Sequence, residues 1–466
     1  MKQGKKLYRT ASVVFCSAIL TACASLSAGN LFSHYSAQNR SVYQAVSSGD
    51  YLKAQEQLPE SRAGDILDNM ERGRIDFLAA SYPESKSAFE ASDRAVRQWQ
   101  DQAVISISDT ATSVGALAVN DNLTNYEPAD YELGFLHLYL GLNYIEQNSL
   151  EGALVEMRRA NQVQERARKQ RESDLKRAEA DMKKSGLSPN LGSVLSRYPD
   201  AGDKLKAVQN GYLLYLSALL YESQGDPNSA YVDYRRALAV APDNKQVIDG
   251  ALRVATELGM RQDLELLTKQ YGAYQPLPKG EGRVIILDER GAVKQMNDWR
   301  LTLPVYDSRG DVGFYSVALP YYDNSGVQKF GALQLNGKGI RGDELVDVNL
   351  MASNQLSEQM PKILLRQVLR TVTKDQLRKE AARGDDVTNV LFNVFNTLTE
   401  QPDTRSWQSL PASVYSSGAT LSAGEHELFV AGLSYKFPVR EGQTTLVWLS
   451  RQGGNVTIWH KLLGAI

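Results

Sequence analysis

Residues Gly211 to Asn244 read GYLLYLSALLYESQGDPNSAYVDYRRALAVAPDN, a stretch of 34 residues. Apolar residues recur at helical spacing on both sides of the turn Gly225-Asp226-Pro227. Small residues at Ala218 and Ala230 would let the two helices approach closely, and Pro242 would end the second helix. The stretch therefore predicts a helical hairpin.

This hairpin resembles a tetratricopeptide repeat, a helix–turn–helix unit of about 34 residues. The residues at the positions typical of that family are Ala218, Tyr221, Ala230, Tyr234, Ala237 and Pro242. Weaker matches occur over 43–58, 66–94 and 134–164. Because about three repeats are needed to bury a continuous core, we predict a tetratricopeptide-like α-solenoid over 41–275. The alternative is a generic helical bundle whose matches arise by chance.

Two insertions interrupt the repeat pattern. Residues 100–130 are rich in Ser, Thr, Ala and Asn, and a charged helical arm is predicted over about 158–196. Between 156 and 184 there are ten Lys and Arg and six Asp and Glu. The arm is either a solvated helix, which we favour, or a basic element that contacts anionic lipid or an acidic partner.

Composition changes at Gln275–Gly280, where proline and glycine cluster, so a linker is expected there. Strand patterns follow over 283–287, 300–306, 315–319, 328–335, 345–350, 427–433, 444–450 and 456–462. Asn336-Gly337 and Gly453-Gly454 are typical of hairpin turns. A helical pair is predicted at about 359–399, with helices over 359–383 and 387–399. The fold class is therefore α + β multidomain, the repeats being followed over 280–466 by a β-sandwich-like domain with an inserted helical pair.

No motif in the chain points to catalysis, a cofactor or a metal. Gly337–Gly342 matches G-x-G-x-x-G but leads into a strand pattern, whereas a dinucleotide loop opens a helix. The four histidines are far apart in sequence. We expect a protein that is not an enzyme.

The N-terminus resembles a bacterial lipoprotein signal. A basic start and a short apolar run lead to Leu20-Thr21-Ala22-Cys23, which resembles a lipobox. The resemblance implies removal of residues 1–22, acylation of Cys23 with chains such as palmitate, and a tether over 23–40. Ala24 in place of Asp favours the outer membrane of a Gram-negative bacterium, facing the periplasm. The alternatives are an ordinary signal peptide and a short buried helix.

Charge and cysteine content narrow the possible functions. Removing residues 1–22 removes four basic residues, so 52 basic residues become 48 against 54 acidic ones, a net charge of about −6. That balance argues against a general nucleic-acid binder. Cys16 would leave with the signal and Cys23 would carry lipid, so no thiol remains for a disulfide.

The segment Asp403-Thr404-Arg405-Ser406-Trp407-Gln408-Ser409-Leu410-Pro411 has two interpretations. Trp and Arg beside a proline turn are typical of interface hot spots. Alternatively, Trp407 fills the core while Asp403 and Arg405 fix the loop, and we favour this second interpretation. The residues considered for partner binding are Tyr221, Tyr234, Arg235, Arg405 and Trp407.

The mature chain resembles an uncharacterised family of proteobacterial outer-membrane lipoproteins. The resemblance rests on Glu71-Arg72-Gly73-Arg74, on Tyr131-Glu132 with 154–161, and on Asp403–Trp407 with Leu410-Pro411. By analogy it implies a scaffold that binds periplasmic or outer-membrane proteins in cell-envelope assembly or cell-wall synthesis. The rivals are a peptidoglycan-binding or wall-processing lipoprotein whose activity lies in the C-terminal domain, and a structural lipoprotein without a dedicated partner.

Overall fold

The computed structural model describes residues 33–106, 126–162, 188–189, 205–306, 312–382 and 401–466. The predicted signal over 1–22, Cys23 and most of its tether lie outside these residues. So do most of the 100–130 insertion, most of the charged arm over 158–196, and the predicted helix over 387–399.

The first part of the chain is helical. Its helices are α1 Tyr35–Gln38, α2 Arg40–Ser48, α3 Tyr51–Gln57, α4 Asp65–Leu78, α5 Tyr82–Ser106, α6 Asp130–Glu146, α7 over 150–162, α8 Gly211–Ser223, α9 Pro227–Val240, α10 Lys245–Glu257 and α11 Arg261–Tyr271, with a short 3-10 helix at Leu205–Ala207. Among the described residues they form five hairpins, α2–α3, α4–α5, α6–α7, α8–α9 and α10–α11.

The hairpin predicted over 211–244 is present as α8 and α9. The side chain of Asn210 caps α8 by accepting a hydrogen bond from the Leu213 amide at 3.2 Å. Asp226 caps α9 by accepting one from the Ser229 amide at 3.1 Å, and Pro227 is the first residue of that helix. Local sequence alone therefore determines where both helices begin.

The second part of the chain is rich in strands. They are β1 Ser188–Pro189, β2 Glu281–Arg290, β3 Asn297–Tyr306, β4 Val312–Tyr321, β5 Leu333–Leu335, β6 Lys338–Ile340, β7 Asp343–Asp347, β8 Ser413–Ser422, β9 Gly424–Val430, β10 Leu433–Val439, β11 Thr444–Gln452 and β12 Asn455–Gly464. They form a five-stranded sheet in the order β12-β11-β2-β8-β7, a four-stranded sheet in the order β10-β9-β5-β6, and a three-stranded sheet in the order β1-β3-β4. Only β2 and β11 pair in parallel among the described strands.

Strand β2 is buried on both of its faces. Val284 and Ile286 point into a core shared with the four-stranded sheet. Ile285 and Leu287 point the other way, into a core shared with the helices. Because side chains alternate along a strand, the five-stranded sheet is covered by a second sheet on one face and by the helical hairpins on the other. The helical and sheet-rich regions therefore meet in one hydrophobic core.

Both predicted hairpin turns are confirmed. Leu335 pairs with Lys338 across Asn336 and Gly337, whose φ angles of 51° and 75° suit a two-residue turn between strands. At the C-terminus, β11 and β12 pair across Gly453-Gly454, with Gln452 opposite Asn455.

Several strand predictions for the second half were wrong. The strand expected over 427–433 is instead the end of β9 and the start of β10, which are joined by a turn at Ala431-Gly432. The strand expected over 345–350 ends at Asp347, where helix α12 Val348–Ala382 begins, because the Asp347 carboxylate accepts a hydrogen bond from the Leu350 amide at 3.0 Å and caps the helix. The strand expected over 328–335 is reduced to Leu333–Leu335. Strand β8 was not predicted, because its sequence SVYSSGATLS lacks the usual apolar alternation.

Helix α12 covers the three-stranded sheet. Its buried residues Leu356, Met360 and Leu364 pack against Val317 and Leu319 of β4. The three-stranded sheet and α12 thus form a separate core beside the main one.

Candidate functional site

The helical and sheet-rich regions are joined at a buried ion pair. Glu289 follows Ile285 and Leu287 on the helix-facing side of β2, and its side chain is fully buried. Nη2 of Arg74, from α4, lies 2.6 Å from Oε2 of Glu289, and the arginine is also fully buried. The Arg74 guanidinium lies 4.5 Å from the ring centroid of Tyr139. A buried pair of this kind is expected to specify one arrangement of its elements rather than to add much stability.

The other carboxylate oxygen of Glu289, Oε1, accepts hydrogen bonds from three side chains. The hydroxyls of Tyr139 in α6 and Tyr212 in α8 donate to Oε1 at 3.2 and 3.3 Å. Nε1 of Trp448 in β11 donates to the same oxygen at 3.2 Å and to the Tyr212 hydroxyl at 3.1 Å. One carboxylate of the sheet therefore connects the first helices of three successive hairpins.

The electrostatics of this pair favour a fixed charge. Burial lowers the pKa of Arg74, but the charge of Glu289, its hydrogen bond and the nearby Tyr139 and Tyr51 together outweigh burial, and the pKa stays above its ordinary value. Burial raises the pKa of Glu289, and the charge of Arg74 opposes that rise. Since neither side chain reaches solvent, the pair serves the packing of the chain and offers no surface to a substrate.

The segment 403–411 is held against the helices through its backbone amides. The Trp407 amide donates to Oε1 of Glu132, in α6, at 2.7 Å. The Gln408 amide donates to Oε1 of Glu71, in α4, at 2.6 Å, and the Ser409 amide donates to Oε2 at 3.2 Å. Two glutamates from successive hairpins thus hold three consecutive amides of one segment.

Both of these carboxylates are shifted towards the protonated form. Burial raises the pKa of Glu71 from 4.5 to about 7, although the Ser409 and Gln408 hydrogen bonds oppose the shift. Burial also raises the pKa of Glu132, against the hydrogen bonds that Tyr126 and the Trp407 amide donate to it.

The N-terminal helix rests on the same segment. The Ser36 amide donates to the Thr404 hydroxyl at 3.1 Å, and Nδ2 of Asn39 donates to Oε1 of Gln408 at 2.9 Å. Nε2 of His34 lies 3.1 Å from the carboxylate of Asp298 in β3. The predicted tether over 23–40 is therefore too long, because His34, Ser36 and Asn39 are already fixed at the junction between the two regions.

Trp407 lies in the core and Arg405 pairs with Asp403, which is the arrangement expected from the second interpretation of their segment. Trp407 is fully buried between the rings of Phe89 and Tyr139, at centroid distances of 5.7 and 5.8 Å. Nη2 of Arg405 lies 2.7 Å from Oδ2 of Asp403. In this structure Trp407 has no surface to offer a partner.

The other three residues considered for partner binding lie in α8 and α9. Tyr234 is fully buried, and its hydroxyl donates to Oε2 of Glu222 at 2.7 Å. Tyr221 is partly buried and accepts a hydrogen bond from Nε of Arg158 at 3.0 Å. The side chain of Arg235 is 45% exposed. The structure therefore separates the five residues into two groups and leaves only Tyr221 and Arg235 reachable from solvent at the repeats.

The side of the repeat array formed by its first helices is not open. Phe77 of α4 packs edge-to-face on Trp448 at 5.0 Å, and Tyr139 and Tyr212 reach the same sheet. The N-cap Asn244 of α10 accepts a hydrogen bond from the Ser416 hydroxyl of β8 at 3.0 Å. A partner that used this side would have to displace the chain's own sheet.

Arg405 also borders a cavity of about 140 Å³ between α12 and the segment 403–411, which we call the junction segment. The cavity is further lined by Tyr126, Lys362 and Asp403. Drug-sized ligands need roughly 300–1,000 Å³, so this volume suits only a small molecule. In the part of the chain that the structure describes, no group of three or more His, Cys, Asp or Glu is placed to hold a metal ion. None of the described helices is long and apolar enough to cross a membrane.

The residues at the centre of the junction were not predicted from the sequence. Glu289, Tyr212 and Trp448 were not singled out, and Arg74 was noted only within a resemblance. One signal was present: the apolar strand that contains Val284–Leu287 runs directly into Asp-Glu-Arg, so charged residues continue a buried strand. Because such residues are seldom buried without partners, that run predicts buried ion pairs.

Comparison with known proteins supports the repeat assignment. Residues 153–325, less than half of the chain, match the family model described as a tetratricopeptide repeat. No curated protein matches the chain. The matching region supports a helical, tetratricopeptide-like part beside the sheet-rich part, and such repeats typically mediate protein–protein interactions rather than catalysis.

Some solved structures show a weak likeness to this chain. One titled MamA AMB-1 is 12% identical with a TM-score of 0.27, covering 50% of this chain and 87% of that chain. A second MamA crystal structure is 12% identical with a TM-score of 0.20, covering 44% and 89%. The TPR2AB domain of yeast Sti1, in a structure titled as its pHSP90 complex, is 11% identical with a TM-score of 0.19, covering 50% and 74%. TM-scores this low support no inference about the arrangement of this chain.

Proposed function

We propose that this chain is a lipid-anchored protein of the outer membrane that faces the periplasm and acts as an interaction scaffold in cell-envelope assembly or cell-wall synthesis. The observation that carries the scaffold role is the tetratricopeptide match over 153–325, whose described part contains the helical hairpins α8–α9 and α10–α11 and continues into strands β2 to β4. Repeat proteins of this kind bind partners through extended surfaces. The envelope location rests on the sequence around Cys23.

The position of the N-terminus agrees with anchoring. From Cys23 to Ser33 there are ten residue steps, which span at most about 35 Å when extended. Ser36 and Asn39 are tied to the junction segment. Acyl chains on Cys23 would therefore hold the junction near the membrane surface.

The anchor is tested by comparing Cys23→Ser with Cys16→Ser. Cells that produce each variant are given an alkyne-labelled palmitate analogue, and membranes are separated from soluble extract. Label and membrane association are expected for the wild type and for Cys16→Ser, since Cys16 lies within the predicted signal. Both are expected to be lost in Cys23→Ser. Labelling of Cys23→Ser at the wild-type level would exclude lipidation at this residue.

The scaffold role is tested with the full chain, because the two regions share a core. A cleavable crosslinker is applied to intact cells, and the tagged protein is purified and identified together with its neighbours by mass spectrometry. A defined set of envelope proteins, absent when the tag is on an unrelated lipoprotein, is expected. Recovery of the chain with no protein partner, combined with co-sedimentation with purified peptidoglycan, would instead favour the wall-binding alternative.

A further inference from the structure

The outward faces of three second helices carry the same arrangement of residues. In α7 the exposed positions are 151, 155, 158 and 162, and in α9 they are 228, 232, 235 and 239. The two sets have identical spacing and coincide when the buried residues Ala153 and Ala230 are superposed. Helix α11 begins 34 residues after α9. Its positions 262, 266 and 269 correspond to 228, 232 and 235 of α9, and they are exposed as well.

These equivalent positions repeat one chemical pattern. The second of these positions is aliphatic and unusually exposed, being Val155 at 45%, Val232 at 58% and Leu266 at 65%. Three residues later each helix carries an exposed basic side chain, and these are Arg158, Arg235 and Lys269. We refer to these six residues as the outer stripe. Single exposed aliphatic residues are ordinary, but recurrence at one repeat position in three hairpins is not explained by packing within the chain.

The preceding hairpin does not share the pattern. The positions of α5 that correspond to Val155 and Arg158 are Ser87 and Glu90, when Gly73 and Gly141 are superposed. The outer stripe is thus absent from α5, which provides a matched control.

The three helices of the outer stripe are neighbours. Nη1 of Arg236 in α9 donates to Oδ1 of Asn161 in α7 at 3.4 Å. The Tyr231 hydroxyl of α9 donates to Oδ2 of Asp263 in α11 at 2.7 Å. The outer stripe is therefore one continuous surface, although residues 163–204 separate α7 from α8 in sequence.

Two of its cations are held in place by tyrosines. The Arg158 guanidinium lies 5.3 Å from the ring centroid of Tyr221 and donates to its hydroxyl. The Arg235 guanidinium lies 5.9 Å from the Tyr231 ring centroid, and its Nη1 donates to that hydroxyl at 3.1 Å. Cations ordered in this way lose less side-chain entropy when a carboxylate binds them.

We infer that the outer stripe is the docking surface for an amphipathic, acidic segment of a partner protein. This inference rests on the proposed scaffold function and names the surface that performs it. The aliphatic residues would receive apolar side chains, and the basic residues would pair with carboxylates beside them. The opposite side of the repeats is covered by the sheet, which leaves this side for a partner.

The spacing also limits the form of that segment. Side chains of adjacent stripe helices touch, so successive aliphatic sites are separated by roughly one helix diameter, about 10–12 Å. A helix advances about 10.5 Å in seven residues. A partner helix with apolar residues every seventh position and Asp or Glu within a turn of each would match all three sites.

An anionic membrane fits this surface less well. Asp263 lies 3.4 Å from Arg235, and Glu265 is an exposed neighbour of Leu266. Anionic lipid headgroups would be repelled by these carboxylates, whereas a partner protein can place its own charges to avoid them.

The test is site-specific photocrosslinking in cells that naturally contain the protein. A photoreactive amino acid replaces Val155, Val232 or Leu266 in the full chain, and Ser87 serves as the control. Each of the three stripe positions is expected to crosslink the same protein, within a segment that has apolar and acidic residues at helical spacing. The control position is expected to give at least tenfold less of that product.

Charge reversal provides the second arm. In a chain with the photoreactive residue at 232, the triple variant R158E/R235E/K269E is expected to lower the crosslink yield at least tenfold. The control K53E/K329E/K338E reverses three exposed lysines outside α7, α9 and α11 and is expected to leave the yield unchanged. Equal melting temperatures of the two triple variants would show that the loss is not caused by unfolding.

The remaining outcomes overturn the inference in distinguishable ways. Crosslinks to lipid alone, or to a protein segment without acidic residues, contradict the stated partner chemistry. Equal yields at Ser87 and at the stripe, with a partner still recovered by the full chain, refute this surface but leave the scaffold function. If no position crosslinks and the full chain also recovers no protein, both proposals fail.

Discussion

Replacing Arg74 with methionine would leave the Glu289 carboxylate buried without its counter-charge. Nη2 of Arg74 is the donor to Oε2 at 2.6 Å, while Tyr139, Tyr212 and Trp448 all donate to Oε1. The variant would therefore bury one oxygen of a charged group without a donor. Removing one partner of a buried pair costs about 3–5 kcal/mol, and we expect the free energy of unfolding to fall by that amount.

The matched control is the double variant R74M/E289Q. An amide at 289 can still accept the hydrogen bonds of Trp448, Tyr139 and Tyr212. Since no charge is then buried, the double variant should regain most of the lost stability. Urea unfolding followed by tryptophan fluorescence measures both. A loss below about 1 kcal/mol in R74M, or an equal loss in the double variant, would refute the reasoning.

Three further perturbations test the described packing. Burial raises the pKa of Glu71 from 4.5 to about 7 in the folded chain, so the free energy of unfolding should fall by about 3 kcal/mol as the pH rises from 4.5 to 7. In the Glu71→Gln variant the free energy of unfolding should change less with pH over this range. An unchanged slope in the variant would contradict the prediction. A Cβ atom at Gly250 would lie 2.2 Å from the Tyr234 ring, so Gly250→Ala should cost about 1–3 kcal/mol in chemical denaturation, whereas Asp249→Ala on the exposed side should change little. Trp407→Ala should cost about 3–5 kcal/mol by leaving a cavity in the shared core, and a melting temperature equal to that of the wild type would show that the site collapses without cost.

Local patterns predicted the elements whose determinants are local. The hairpin over 211–244 carries its own caps, turn and small contact residues, so the sequence was sufficient to place it. Asn336-Gly337 likewise determines its turn through two residues that tolerate positive φ. Strand β8 could not be found in this way, because Ser416 and Ser417 become buried only when β2 and β7 pair on either side.

The junction depends on residues that are distant in sequence. Glu71 and Ser409 are 338 positions apart, and Arg74 and Ser450 are 376 apart. No periodicity within either segment reports such a contact. A resemblance drew attention to Glu71–Arg74 and to Asp403–Pro411 separately, and the structure brings them together.

The last strand, β12, forms hydrogen bonds with the ends of three helices from successive hairpins. Nδ2 of Asn455 donates to the Gly49 carbonyl at 2.8 Å, the Thr457 hydroxyl donates to the Leu78 carbonyl, and Nζ of Lys461 donates to the Glu146 carbonyl at 3.0 Å. These carbonyls lie at the ends of α2, α4 and α6, where helices leave acceptors unsatisfied. A one-residue slip of β12 would turn all three side chains to its other face. The register of β12 and the stacking of the first three hairpins therefore specify each other, although they lie at opposite ends of the chain.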